Sequence, residues 1–206
     1  MRLILASASP RRSELLAQAG YQFEVRAAHV NEDLRPGEDP IAYVTRLARE
    51  KAETVLRQIH EAVPSQMAEP PPESAAPVVL GADTTVTLDG HILAKPEDEA
   101  DARRMLALLS GRTHRVITGV AVVAGSGEKM RCQAAAEVTA VRFLSLSAQE
   151  IAAYVATGEP MDKAGAYAIQ GRAAKWIPRI EGDYFNVVGL PLALVASMLE
   201  EYFPVW

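Results

Sequence analysis

Residues 3–20 read Leu3-Ile4-Leu5-Ala6-Ser7-Ala8-Ser9-Pro10-Arg11-Arg12-Ser13-Glu14-Leu15-Leu16-Ala17-Gln18-Ala19-Gly20. The opening apolar run has strand character, and Ser7, Ala8 and Ser9 are small enough to turn tightly. Ser9 is placed as an N-cap, Pro10 as the first helical residue and Gly20 as the residue that ends the helix. Leu15, Leu16 and Ala19 supply its apolar stripe. Arg11 and Arg12 are the odd feature, because cations in a first turn oppose the helix dipole. An anion docked there would reverse that sign, taking bonds from free N–H groups, serine hydroxyls and two guanidiniums. The stretch is therefore a candidate phosphate cradle. The competing reading is a surface helix with two solvated arginines.

Working outward, 206 residues suffice for one large domain or two small lobes with a substantial core. The net charge of -5 argues against non-specific binding to a nucleic-acid polymer, which needs a basic surface. Any cations that matter must then be local. Cys132 is the only cysteine, which excludes an intrachain disulfide and a cysteine-based zinc site and suits a reducing cytosol. His29, His60, His91 and His114 are scattered without ligand spacing and read as surface or structural residues. No run approaches the length of a membrane span, and the N-terminus reaches Arg11 too soon for a signal peptide. A soluble, cytoplasmic protein is expected.

Residues 21–27 look like a strand, followed by a polar loop in which Glu32 and Asp33 are solvated or ligate a metal. Asp39-Pro40 opens a helix to about His60 with an apolar stripe through Val44, Leu47, Ala48, Val55, Leu56 and Ile59. Lys51 falls on that stripe. It either snorkels or points its ammonium into a site. Residues 64–77 hold five prolines and read as a loop without chemistry. Residues 78–82 form an apolar strand, and Asp83-Thr84-Thr85 is placed at its end, a common position for a metal ligand or general base. Asp89-Gly90 predicts a type I′ hairpin. A helix is expected over 98–110, then two antiparallel strands over 116–123 and 134–143 joined by a turn over 125–128. Ser147 and Glu150 make a capping box for a helix ending at Gly158. Residues 159–171 are glycine-dotted and suit neither helix nor strand, which often lets backbone approach a ligand. Strands are expected over 175–180 and 184–188, and a last helix from Leu190-Pro191. There is no P-loop and no dinucleotide-binding glycine fingerprint.

Taken in order, these pieces resemble the Maf family of nucleoside triphosphate pyrophosphatases nearly end to end. The motifs are Ala6-Ser7-Ala8-Ser9-Pro10-Arg11-Arg12-Ser13-Glu14-Leu15-Leu16, Val30-Asn31-Glu32, Arg49-Glu50-Lys51-Ala52, Gly81-Ala82-Asp83-Thr84, Lys95-Pro96, Ser110-Gly111-Arg112-Thr113-His114 and Asp162-Lys163-Ala164-Gly165-Ala166-Tyr167 with Ile169-Gln170-Gly171. Each alone is weak; their order is specific. The resemblance implies a single α/β domain over the whole chain, with a curved mixed sheet, flanking helices and two lobes around a central cleft. It also implies metal-dependent hydrolysis of a nucleotide between its α- and β-phosphates, in the cytoplasm.

Subgroups of that family differ at positions that match Arg11, Thr84 and Gln170, the combination of the branch acting on dTTP and UTP. Asp83 is implied as proton acceptor for the attacking water. The cations assigned to phosphate are Arg11, Arg12, Lys51, Lys95 and Lys163, with Ser9 and Thr84 holding phosphate or base through their hydroxyls. Glu32, Asp83 and Asp162 are the carboxylates available to Mg²⁺ or Mn²⁺. The Gln170 amide matches the imide edge of uracil or thymine. Ala168 stands where the subgroup usually has glycine, narrowing the cleft slightly, and the 64–77 loop is longer than usual. The rival readings are a nucleotide-binding regulator of cell division, and the same chemistry on 7-methyl-GTP or modified pyrimidine nucleotides. Oligomeric state is left open, a homodimer among the options.

Overall fold

The computed structural model describes residues 1–62, 76–125 and 129–204. Along the chain run β1 (Arg2–Leu5), α1 (Pro10–Gln18), β2 (Phe23–Val25), α2 (Pro40–Glu61), β3 (Pro77–Leu88), β4 (His91–Leu93), α3 (Glu99–Leu109), β5 (Thr113–Ala124), β6 (Arg131–Arg142) and α4 (Ala148–Val155). Two 3₁₀ turns, Ala164–Ala166 and Arg172–Trp176, lead to β7 (Arg179–Glu181), α5 (Tyr184–Val188) and α6 (Leu192–Leu199). Most of the proline-rich loop and most of the 125–128 turn lie outside the described residues. No helix among the described residues is long and apolar enough to cross a membrane.

The strands form one seven-stranded mixed sheet in the order β2-β1-β3-β5-β6-β7, with β4 also paired to β3. Strands β1 and β2 pair in parallel, as do β1 and β3, and the remaining pairings are antiparallel. Helix α2 covers one face. Its Ala52, Val55 and Leu56 pack on Ile4, Val79 and Val123, and its Val44 and Leu47 on Ile117. The other face carries α1 and α6 at one end, against Leu3, Leu5 and Leu80. At its other end lie α3, α4 and the 3₁₀ turns, gathered around Phe143, Tyr167 and Trp176.

Two glycines bring α2 onto the sheet. A Cβ at Gly81 would lie 2.1 Å from the Ala48 carbonyl oxygen, and one at Gly119 would lie 2.4 Å from that of Val44. Only a residue without a side chain allows this approach. The helix itself starts as its sequence dictates: Asp39 accepts from the Ile41 and Ala42 amides, and Pro40 occupies the first turn.

The hairpin after Leu88 has positive φ at both Asp89 and Gly90, as a type I′ turn requires. The Ser147–Glu150 capping box forms. Three expectations need correction. Asp83 does not end a strand; β3 continues through the β-branched Thr84, Thr85, Val86 and Thr87 to Leu88. Residues 184–188 are helical because Asp183 caps the Phe185 amide at 2.7 Å, while buried Asn186 donates to Val116 O and Thr139 Oγ1, both at 3.0 Å. Those bonds override the strand propensity of the segment. Of residues 175–180, only Arg179 and Ile180 enter β7, because Trp176 is drawn into the aromatic cluster and its carbonyl accepts from Leu144.

Candidate active site

One edge of β3 is paired with β5 over residues 78–87. The opposite edge is shared. Strand β1 covers residues 77–80 and β4 covers 86–88, so residues 81–85 have no strand beside them. A cavity of about 930 Å³ opens at that gap. Successive residues of a strand point to opposite faces. A gap in the sheet therefore lets the neighbours Asp83 and Thr84 line one cavity from its two sides.

On the α2 side, Lys51 does not snorkel. It is buried, and its ammonium donates to Asp83 Oδ1 at 2.6 Å and lies 2.7 Å from Glu32 Oε1. Among the described residues no other group bonds the Asp83 carboxylate. Glu32 sits on the loop between β2 and α2, where its carbonyl oxygen accepts from the Tyr43 hydroxyl at 2.8 Å. The loop is also anchored by Glu38, which takes two bonds from Arg46 at 2.6 and 2.8 Å. Those bonds hold the Glu38 carboxyl down at about 2. Burial alone would raise the Glu32 pKa, but its bond to Lys51 and the charges of Lys51, Lys95 and Arg12 outweigh burial and leave it lowered. Tyr43 is pushed up to about 12 by burial first and then by the charges of Asp83 and Glu32.

On the opposite side, Arg12 is a tie rather than a free cation. Its Nε donates to Gly189 O at 2.8 Å, Nη1 to Ser7 Oγ and Ala82 O, and Nη2 to Thr84 Oγ1 at 2.9 Å. Four of its five donors are thereby used. Burial lowers its pKa, against the fields of Asp83 and Glu32. The Thr84 hydroxyl also meets Thr118 Oγ1 at 2.9 Å, and Thr118 donates on to Asn186 O. This network pins β3, β5, α5 and the start of α1 together.

The first turn of α1 faces the cavity. Ser9 has the backbone of an N-cap, yet its side chain makes no capping bond and no acidic residue occupies the first turn. The free N–H groups of that turn suit an anion. Ser9 and Arg11 line the cavity beside them. Lys95, just after β4, and Lys163, Asp162 and Gln170 on the irregular segment line it from the far end. Asp162 is paired with Lys163, whose ammonium also reaches Glu159 O at 3.4 Å.

Glu32 and Asp83 come from different elements and converge on the Lys51 ammonium, which takes one oxygen of each and leaves Asp83 Oδ2 and Glu32 Oε2 without a partner among the described residues. Two oxygen ligands with room for phosphate oxygens fit how Mg²⁺ is usually held. Asp162 is not brought into that pair, and no group of three or more His, Cys, Asp or Glu placed to hold a metal occurs among the described residues.

Reading the chain by itself missed Tyr43, Tyr154 and Glu159, and gave Tyr167 a place in a motif but no role. Tyr43 precedes Leu47 and Lys51 at four-residue steps on the inner face of α2, a signal that was legible. Tyr167 has only the bond of its hydroxyl to His114 Nε2 at 2.7 Å, which pairs residues 53 apart. His114 is structural as expected, and burial pushes its pKa down to about 4.

A family model described as Maf-like protein matches residues 2–202. A protein from Koribacter versatilis named dTTP/UTP pyrophosphatase is 51% identical over 199 residues, covering 97% of this chain and 93% of its own length. Proteins of the same name from Geobacter sulfurreducens and Chromobacterium violaceum are 50% and 48% identical, covering 96% and 98% of this chain and 95% and 94% of theirs.

Proposed function

The chain belongs to the Maf family, and we propose that it hydrolyses dTTP and UTP to the nucleoside monophosphate and pyrophosphate. The observation that carries this reading is the gap in the sheet. It gathers a carboxylate on a rigid strand, an open helix N-terminus and separate cations around one cavity large enough for a nucleotide. The name carried by relatives at about half identity over nearly their whole length supplies the substrates.

A triphosphate carries about four negative charges, so its hydrolysis depends on charge neutralisation and in-line positioning. The α1 N-terminus, Ser9, Arg11, Lys95 and Lys163 bind the phosphates. Arg12 holds the cradle in place and contributes its field. Asp83 takes the proton of the water that attacks the α-phosphate, and pyrophosphate leaves. Lys51 fixes the Asp83 carboxylate at 2.6 Å, so the base is aimed before the substrate arrives. Glu32 and Asp83 would hold Mg²⁺ or Mn²⁺, which supplies charge neutralisation on the phosphate oxygens when bound. Arg11, Thr84 and Gln170 select the base. Gln170 donates to a carbonyl of uracil or thymine and accepts from N3–H. Thr84 acts through the shape its bonds to Arg12 and Thr118 impose. We infer a cytoplasmic location from the substrate class.

The test is a panel of the common NTPs and dNTPs with 7-methyl-GTP and modified pyrimidine nucleotides, with Mg²⁺ and then Mn²⁺. Products are separated by chromatography, and pyrophosphate is assayed apart from orthophosphate. UMP and dTMP with pyrophosphate are the expected products. Pyrophosphate from 7-methyl-GTP instead would overturn the assignment of Arg11, Thr84 and Gln170. Binding without turnover of any nucleotide would overturn the enzyme and favour a regulator.

A further inference from the structure

Residues 168–171 form a tight turn, closed by the Gly171 amide donating to Ala168 O at 3.0 Å. Ile169 and Gln170 are its central residues, and Gln170 is exposed at the cavity wall. The two amides at the base of the turn are not left to water. The Ala168 N–H donates to the Tyr154 hydroxyl at 3.3 Å. That hydroxyl donates to Glu159 Oε1 at 2.9 Å. The Arg172 N–H reaches the same carboxylate at 3.0 and 3.3 Å. A hydroxyl and a carboxylate thus bridge the feet of the turn.

The bridge is built in from three directions. Tyr154 comes from α4, is only 4% exposed, and stacks edge-on against Trp176 with centroids 5.1 Å apart. Burial raises its pKa, so it remains a hydroxyl. Gly171 leaves the space the carboxylate fills, since a Cβ there would lie 1.9 Å from Glu159 Oε1. None of these three residues is needed to bond a phosphate, a metal or the attacking water. Their shared product is the placement of one exposed amide side chain.

We propose that Tyr154 and Glu159 are positioning residues for base selection, holding the turn so that the Gln170 amide meets the pyrimidine edge in one orientation. The inference rests on the reading of Gln170 given above and deepens it. The bridge fixes where the Gln170 side chain starts from; in a loose turn that origin shifts, and the amide can slide along the base edge until a mismatched pattern is also accommodated. Cytosine presents the reverse of the uracil pattern at N3 and at the exocyclic group on C4, where an amine replaces the carbonyl. Rigidity of the turn therefore decides discrimination more than it decides rate.

The experiment is steady-state kinetics on UTP and CTP for the full chain and five variants: Gln170→Ala, Tyr154→Phe, Glu159→Ala, Glu159→Gln and Gly171→Ala. Tyr154→Phe keeps the ring against Trp176 and removes only the hydroxyl. The expected result is a loss of about tenfold in the UTP-to-CTP ratio of kcat/KM for Tyr154→Phe, Glu159→Ala and Gly171→Ala, with kcat on UTP changed less than about threefold. Glu159→Gln keeps an oxygen that accepts from both partners and should retain the preference. In a Glu159→Ala background, Gly171→Ala should cost nothing further, because the carboxylate it displaces is gone.

If Gln170→Ala erodes the preference while Tyr154→Phe and Glu159→Ala do not, the bridge has no role in selection and the proposal is overturned. An unchanged preference in Gln170→Ala itself would show that the base is read elsewhere, and both readings would fall together. Should a variant fold poorly, hydrogen exchange decides. The Ala168 amide should exchange faster in Tyr154→Phe and the Arg172 amide in Glu159→Ala, and unchanged protection would overturn the bridge.

Discussion

Asp83 and Thr84 are neighbours on one strand, yet they look into different surroundings. The Asp83 carboxylate has a single partner among the described residues, the Lys51 ammonium. The Thr84 hydroxyl is met by Arg12 and Thr118, and Gly189 O lies at 3.5 Å. The α2 side of the gap thus holds charge that is aimed but not used up. The opposite side is a closed polar network in which nearly every donor has an acceptor. Unused charge can act on a ligand, whereas satisfied bonds fix shape. Substitutions on the first side should register in turnover, and those on the second in stability.

The largest effect is expected at Asp83. Asp83→Asn should lose at least about a hundredfold in kcat, the usual scale for a general base, while calorimetry still detects nucleotide binding. Its melting temperature should stay within about 3 °C of the parent, because the shape is kept and Lys51 retains Glu32. Near-normal turnover would erase the contrast. Arg12→Lys should do the reverse. One ammonium cannot replace a fork that binds Gly189, Ser7, Ala82 and Thr84. A loss of about 3 kcal/mol is expected, a drop of roughly 6–12 °C in thermal melting. An unchanged melting temperature would mean that the network is not structural.

His114 sharpens the same contrast through pH. Burial lowers its pKa from the ordinary 6.5 to about 4. The unfolded chain therefore takes up a proton below the ordinary value while the folded chain resists it. That penalty is absent well above 6.5, grows as pH falls through it, and levels off below about 4. Between about pH 7 and about pH 5 the group should cost about 2 kcal/mol of stability. Denaturant titrations of the parent and of His114→Gln should differ in slope against pH by that amount. Parallel profiles would show that the imidazole is not held neutral. The smallest effect belongs to Gln170→Ala, which should reduce the UTP-over-CTP preference about tenfold and slow UTP turnover less. A uniform slowing of both nucleotides would instead mark it as part of the machinery of hydrolysis.

The chain's local signals carried the frame well where one residue type does one job. Asp39-Pro40 starts α2, Asp89-Gly90 turns the hairpin, and Ser147 with Glu150 opens α4. The residues named for the site all line one cavity, because each sits in a short motif whose chemistry can be read in place. What could not be read depends on pairing at a distance. The gap in the sheet comes from where β1 stops and β4 begins along β3, and the one glycine at its edge, Gly81, serves the close approach of α2 and does not turn the strand. Aromatic and β-branched residues at 184–188 favour a strand, and only Asp183 and the buried bonds of Asn186 make them a helix. Arg12 looked like a second phosphate ligand beside Arg11 because its acceptors lie 70, 72 and 177 residues away. The Tyr154–Glu159 bridge was invisible for a different reason: both residues are ordinary until the turn at Ala168 folds back on them.

The placement of Asp83 beside an α-phosphate held at the α1 N-terminus is tested most directly by turnover of UTP in water labelled with heavy oxygen. Mass spectrometry of the products then reports which phosphorus was attacked. The label should appear in the phosphate of UMP, with pyrophosphate unlabelled. Label in pyrophosphate, or orthophosphate as the released product, would contradict attack at the α-phosphate and the role given to Asp83.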